Sequence, residues 1–228
     1  MSVTPSKLAR AAALAAAAAG ALYIVIQFIH PVEEVAAVTT QAWTVVHYLT
    51  LAMAVLGLAG VAGLYLVQVQ RAGLLGLLGF LLLSAFFLTQ AAYNFLEALV
   101  LPLLATEAPA LTEDILGIFG GAPADGSLGA LESVGTVAFG LYLLGGVTFG
   151  IAVFRARVLQ RWAGILLALG AASTLILPLL PHSVGRLAAI PVGLALIWLG
   201  ASLWQSRGRR GSVPAEAVPV PSVAAGTR

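Results

Sequence analysis

The sequence predicts an all-α integral membrane bundle of six transmembrane helices with both termini cytoplasmic. Three observations predict it. The chain is 61% apolar and only 9% charged over 228 residues, against about 25% charged in a soluble domain. Six apolar stretches are each long enough to cross a hydrocarbon core, which takes about 20 helical residues. The charges also segregate between the connections. With the N-terminus inside, ten of the eleven basic residues fall inside and only Arg186 falls outside. Eight of the nine acids fall outside and only Glu216 falls inside. Loops rich in Lys and Arg stay cytoplasmic, and a wrong helix count would scramble the pattern.

The stretches cover about residues 8–29, 43–67, 73–105, 133–154, 162–180 and 187–204. Backbone groups in lipid are satisfied internally, and runs this long and continuous are helices rather than barrel strands. The first has a basic start and an alanine run, as a signal peptide does. It continues to Ile29, past an h-region of about 7–15 residues, and is read as a retained span. The third is longer than one crossing requires. Pro191 in the sixth is expected to kink it. Residues 1–205 thus form the six-helix transmembrane domain, with an outer loop of about 106–130. After Ser206 the chain turns to Gly, Ser, Pro, Ala and Val without helical period. Residues 206–228 read as a disordered cytoplasmic tail.

Helices in lipid associate through close packing of small residues. Gly57, Gly60 and Gly63, then Gly73, Gly76 and Gly79, then Gly146 and Gly150 supply such faces. They serve packing within the chain first and a homo-oligomer interface second. Gly60-Val-Ala-Gly-Leu-Tyr-Leu-Val resembles Gly146-Val-Thr-Phe-Gly-Ile-Ala-Val, which suggests that spans two–three and four–five are duplicated hairpins.

The composition excludes several function classes. With no cysteine, disulfides, thiolate nucleophiles, thiolate zinc sites and iron–sulfur clusters are out. No basic face exists to bind nucleic acid. No P-loop, GxSxG or dinucleotide fingerprint occurs in the right strand–helix context, and no cofactor is expected. The arginine preference (Lys7 is the only lysine) together with the Ala, Gly, Leu and Val load points to a GC-rich, bacterial genome and to the cell membrane. The segment Phe154-Arg-Ala-Arg-Val-Leu-Gln-Arg-Trp-Ala-Gly-Ile-Leu-Leu-Ala-Leu-Gly170 resembles a turn of uncharacterised small polytopic membrane proteins of GC-rich bacteria. It covers one hairpin, and that group implies no activity and no functional residue.

Polar chemistry concentrates at the outer end. His30, His47 and His182 all fall there, as do Glu33, Glu34, Glu97 and Glu132. Such groups bind protons, metals or cationic ligands. In span three, Gln90, Asn94 and Glu97 stand at i, i+4 and i+7 with Tyr93 beside them, one polar stripe on one helical face. Intramembrane polar residues face the bundle interior or a wet cavity. The candidate ligand-binding set is His47, Gln90, Tyr93, Asn94, Glu97 and Glu132. The histidines come from separate helix ends with no H-E-x-x-H to unite them, so no metal site is expected. Glu33 and Glu34 after Pro31 suit a first helical turn. Thr112, Glu113 and Asp114 suit the cap of a short surface helix over Ile115–Phe119, with a flexible Gly-rich loop behind it.

Three functions remain. The first is a membrane protein that binds a small-molecule or lipid-like ligand, or serves a complex as a subunit. The second is a secondary transporter or channel using the span-three stripe. The third is an intramembrane enzyme acting on a lipid or isoprenoid through Glu97, Glu132 and His47.

Overall fold

The computed structural model describes residues 2–120, 123–179 and 186–210. These are 89% helical, with no strand among them. His182 and the tail beyond Arg210 lie outside the described residues.

Helix α1 (Pro5–Ile29) starts on Thr4, whose side chain accepts from the Lys7 amide. It stops at His30, which is extended because Pro31 disfavours helix in the residue before it. A one-turn α2 (Val35–Val38) follows. Helix α3 (Gln41–Phe95) is capped by Thr40, which accepts from the Trp43 amide. At Gly73 its backbone turns to φ 59°, ψ −163°, and the helix doubles back. Tyr65 of the first arm stacks on Phe80 of the second at 4.7 Å, Gly57 faces the Phe87 ring, and the Trp43 indole bonds the Glu97 carbonyl. The sequence reading places residues 68–72 in a turn between the second and third stretches. The structure keeps them helical and makes the reversal at one residue.

Only glycine is comfortable at that backbone conformation. A Cβ on Gly73 would meet nothing within 4 Å, so Gly73→Ala isolates the backbone cost. We expect a loss of about 1–3 kcal/mol, read as a lowered melting temperature in detergent. An unchanged melting temperature would mean that the turn tolerates another path.

The second arm continues through a π-turn, Leu96–Val100, into α4 (Leu101–Glu107). Pro102 has no N–H and crowds the carbonyl four residues back, and the wider turn absorbs that conflict. Helix α5 is Pro109–Gly120. A 3₁₀ turn, Gly129–Ser133, leads to α6 (Val134–Ala156). Helix α7 (Arg161–Ala172) runs into a 3₁₀ stretch, Ser173–Leu179. The 3₁₀ turn Arg186–Ala188 opens α8 (Ala189–Arg210).

Six helical rods close into a ring in chain order: α1, the two arms of α3, α6, α7 and α8. Each neighbouring pair is antiparallel, and small residues set each contact. A Cβ on Gly60 would sit 2.6 Å from Ala16 Cα of α1. One on Gly79 would sit 2.6 Å from Phe149 Cα of α6. Gly150 meets the Gly164 carbonyl of α7, Gly170 meets Val192 of α8, and Gly193 meets the Gly20 carbonyl of α1. Apart from Gly73, the glycines of those faces are therefore covered within the chain. Gly60 packs on the preceding rod and Gly146 on the following one, so the two similar segments make non-equivalent contacts.

The interior is apolar, from Leu64 and Val61 through Phe149 and Leu167 to Leu199. The outside is apolar too: Leu66, Leu74 and Leu169 are each about two-thirds exposed or more. Among the described residues, four helical stretches are long and apolar enough to cross a membrane: Pro5–Ile29, Gln41–Glu107 (the doubled one), Gly129–Ala156 and Arg186–Ser206. Arg161–Ile176 is apolar but shorter.

Several local expectations are corrected. Pro191 falls in the first turn of α8, where a missing N–H breaks no helical bond, so it starts this helix and does not kink it. Helix α8 also continues through Arg210, past the expected end at residue 205. Thr112 caps nothing. The helix begins three residues earlier at Pro109, and the buried Thr112 hydroxyl donates to the Ala108 carbonyl. Asp114 accepts from the amides of Asp125 and Gly126 at 2.8 and 3.0 Å, which ties that side of the loop down. Glu34 precedes α2 without a side-chain cap bond, and Glu33 serves elsewhere.

Candidate functional site at the acidic end of the bundle

Alternation of the rods puts the Gly73 turn, the α6–α7 turn and the start of α1 at one end of the bundle. Lys7, Arg10, Arg71, Arg155, Arg157 and Arg161 gather there. Among the described residues, the acids lie at the other end, with Arg186.

At that acidic end, a second apolar cluster of Val38, Trp43, Tyr93, Leu101, Ile115 and Leu116 seats α5 across the bundle. Tyr93 fixes it. Its hydroxyl donates to the Ile115 carbonyl at 2.6 Å, and its ring meets Phe119 edge-on at 4.5 Å.

His47 lies on the first arm, one turn after Trp43, and is 1% exposed. Its Nδ1 is 2.8 Å from the Trp43 carbonyl. A carbonyl only accepts, so Nδ1 carries a hydrogen. The two rings stack at 4.0 Å. The Trp43 indole N–H donates across to the Glu97 carbonyl at 2.9 Å, inside the π-turn of the second arm. His47 Nε2 then faces Glu97 Oε2 at 3.5 Å. His30, at the end of α1, meets the His47 ring at 5.3 Å, nearly perpendicular. Burial holds the His30 pKa below the ordinary histidine range, so this ring is neutral at neutral pH. Arg186 closes the mouth: its guanidinium reaches the His30 carbonyl and Glu33 Oε1, both at 3.4 Å.

Behind Arg186 is a cleft of about 280 Å³. Glu33, Glu97, Gln90, Asn94 and Thr50 supply its acceptors, and Tyr23, Tyr93 and Phe119 supply aromatic wall. Asn94 Nδ2 donates to the Gln90 carbonyl at 2.8 Å, and the buried Gln90 Oε1 has no partner. Below the cleft, and sharing Tyr23 and Met53 with it, a small apolar-walled cavity of about 20 Å³ sits at the bundle axis, lined by all six rods.

The structure thus brings together His47, Gln90, Tyr93, Asn94 and Glu97. Glu132 does not join them. Its Oε1 accepts from the Leu128 amide within its own 3₁₀ turn, and it lines a separate surface hollow with Asp114. Trp43, Arg186, Glu33, Tyr23 and Thr50 were not among the candidates. Arg186 carried a signal, as the lone base on the acidic side. Trp43 carried one too, standing four residues before His47 on the same face. Among the described residues, no group of three or more His, Asp or Glu is placed to hold a metal ion. Comparison with protein-family models, with curated proteins and with solved structures gave no match.

Proposed function

We propose that this chain is a bacterial cell-membrane protein of six spans that binds a small organic cation in the cleft at its outer end. The six-span count treats the arms of α3 as two crossings and takes α7 with its 3₁₀ extension as a third. Twelve α-helical residues at 1.5 Å and seven 3₁₀ residues at about 2.0 Å reach about 32 Å, against a core of about 30 Å. Tightening the coil lengthens a span that is short in residues. The gathering of basic residues at one end supports a cytoplasmic placement of that end and of both termini.

One observation carries the ligand class. Of the two carboxylates at the cleft, Glu33 is engaged by the Arg186 guanidinium, which also reaches the His30 carbonyl; that leaves the Glu97 carboxylate and the unpartnered Gln90 amide oxygen as open acceptors. With His30 neutral, the described residues supply no further positive charge for these acceptors. Tyr23, Tyr93 and Phe119 add π-faces suited to a quaternary or primary ammonium. The test uses benzyltrimethylammonium on the purified full chain. At a hundredfold excess over its Kd it should stabilise the fold by about 2.7 kcal/mol, read as a rise in melting temperature. Benzenesulfonate, of similar shape and opposite charge, should give no rise. Equal effects of the two would refute a cation site.

A transport reading has one supporting observation, the small apolar-walled cavity stacked under the cleft on the bundle axis. Passage needs Tyr142, Phe86 and Phe87 to part, and flux of the same probe into proteoliposomes tests it.

A further inference from the structure

We propose that His47 and Glu97 share one exchangeable proton, and that a cation bound in the cleft displaces it. The inference rests on the cation reading above and deepens it. Its ground is the hydrogen placement at His47. Nδ1 is committed as a donor to the Trp43 carbonyl, so in the neutral ring Nε2 carries a lone pair. Glu97 Oε2 stands 3.5 Å from that nitrogen, and among the described residues Nε2, in a side chain 1% exposed, makes no hydrogen bond. A nitrogen lone pair and a carboxylate oxygen held this close in a largely buried site repel. A proton on the line between them removes the repulsion, whether it sits on Nε2 as imidazolium or on Oε2 as carboxylic acid. Either way the pair is neutral overall and holds one proton more than a neutral histidine beside a carboxylate.

Among the described residues, the other titratable or charged groups around the pair come from the elements packed there. His30 closes α1, Glu33 precedes α2, Tyr93 stands one turn before Glu97, and Arg186 precedes α8. Arg186 is paired with Glu33, His30 is neutral, and Tyr93 spends its hydrogen on Ile115. None of them offsets a bare Glu97 carboxylate. An incoming cation does. The exchange is balanced: the cation enters the cleft beside Glu97, the N–H or O–H bond in the pair breaks, and the proton leaves to water at the mouth. One positive charge replaces another. The Glu97 side chain is 13% exposed, enough contact with the cleft for the exchange.

The experiment is calorimetric titration of the purified full chain with benzyltrimethylammonium, which has no ionisable proton, in two buffers of different ionisation enthalpy. The expected result is release of close to one proton per cation where the pair is loaded. Affinity should rise with pH by up to tenfold per unit over that range. Glu97→Gln should abolish both the release and the slope. Binding with no proton release and a flat pH profile would overturn the exchange while leaving the cation site standing. Absence of binding would overturn the cation site and the exchange with it. The shared proton is then read in the ligand-free protein by histidine ¹⁵N NMR. A His47 Nε2 signal that is protonated or hydrogen-bonded, and that shifts in Glu97→Gln, supports the pair. A bare, unchanged Nε2 overturns it.

Discussion

Glu97→Gln is expected to weaken benzyltrimethylammonium binding by about 2–3 kcal/mol, the worth of an interaction with a charged group in a partly dry site. That is roughly a 30- to 150-fold rise in Kd. The fold should survive. The new amide donates a hydrogen to the lone pair on His47 Nε2, so the facing groups stay compatible. The Trp43 indole bonds the backbone carbonyl at position 97, which the substitution keeps. Melting temperature without the probe should therefore change little while binding collapses. If Glu97 merely ended a helix at the interface, both readings would be silent. A large loss of stability with affinity unchanged would assign it to structure alone.

Gly150→Leu should give the largest loss of stability of any change considered. A Cβ there would sit 2.8 Å from the Ala168 amide nitrogen and press on the Gly164 carbonyl. These are backbone atoms on both sides, so no side chain can rotate away. Helices α6 and α7 must separate, and in lipid their attraction depends on that closeness. The expected cost is about 3 kcal/mol, the upper end of the usual overpacking range. Gly140→Leu on the same helix is the control, since nothing lies within 4 Å of its Cβ. Comparable losses at both positions would refute the close-packing account of α6 and α7.

The helical class and the membrane-length apolar runs were legible because they rest on composition and run length, which need no tertiary knowledge. The apolar stretches over 8–29 and 133–154 match α1 and α6 within a few residues. The sequence reading starts span three at Gly73, where the reversal falls, but ends span two at residue 67, five residues short, because glycine in an apolar run reads equally as packing residue and as reversal. Only its backbone angles distinguish the two. The region after residue 105 was read worst. Thr-Glu-Asp after an apolar stretch is a cap signal, but Pro109 opens the helix earlier and turns those residues into its second turn. That shift explains why α5 lies over the cleft with Leu116 and Phe119 facing in.

The polar stripe of Gln90, Asn94 and Glu97 was legible from spacing alone. Its partners were not. Trp43 and His47 lie some fifty residues away in sequence, and only the fold of α3 on itself sets them opposite Glu97. Glu33 had a sufficient local explanation as a first-turn acid, which concealed its pairing with Arg186.

The central claim is that the acidic end opens outward and its cleft holds a cation. Because the chain contains no cysteine, one introduced thiol reports on it without background. Gln27 lines the cleft from α1, and among the described residues its side chain bonds only the Tyr23 carbonyl of its own helix. In intact cells, Gln27→Cys should react with a membrane-impermeant maleimide added outside, and benzyltrimethylammonium should slow that reaction. Labelling only after the membrane is permeabilised, or at a rate the cation does not change, would contradict the account.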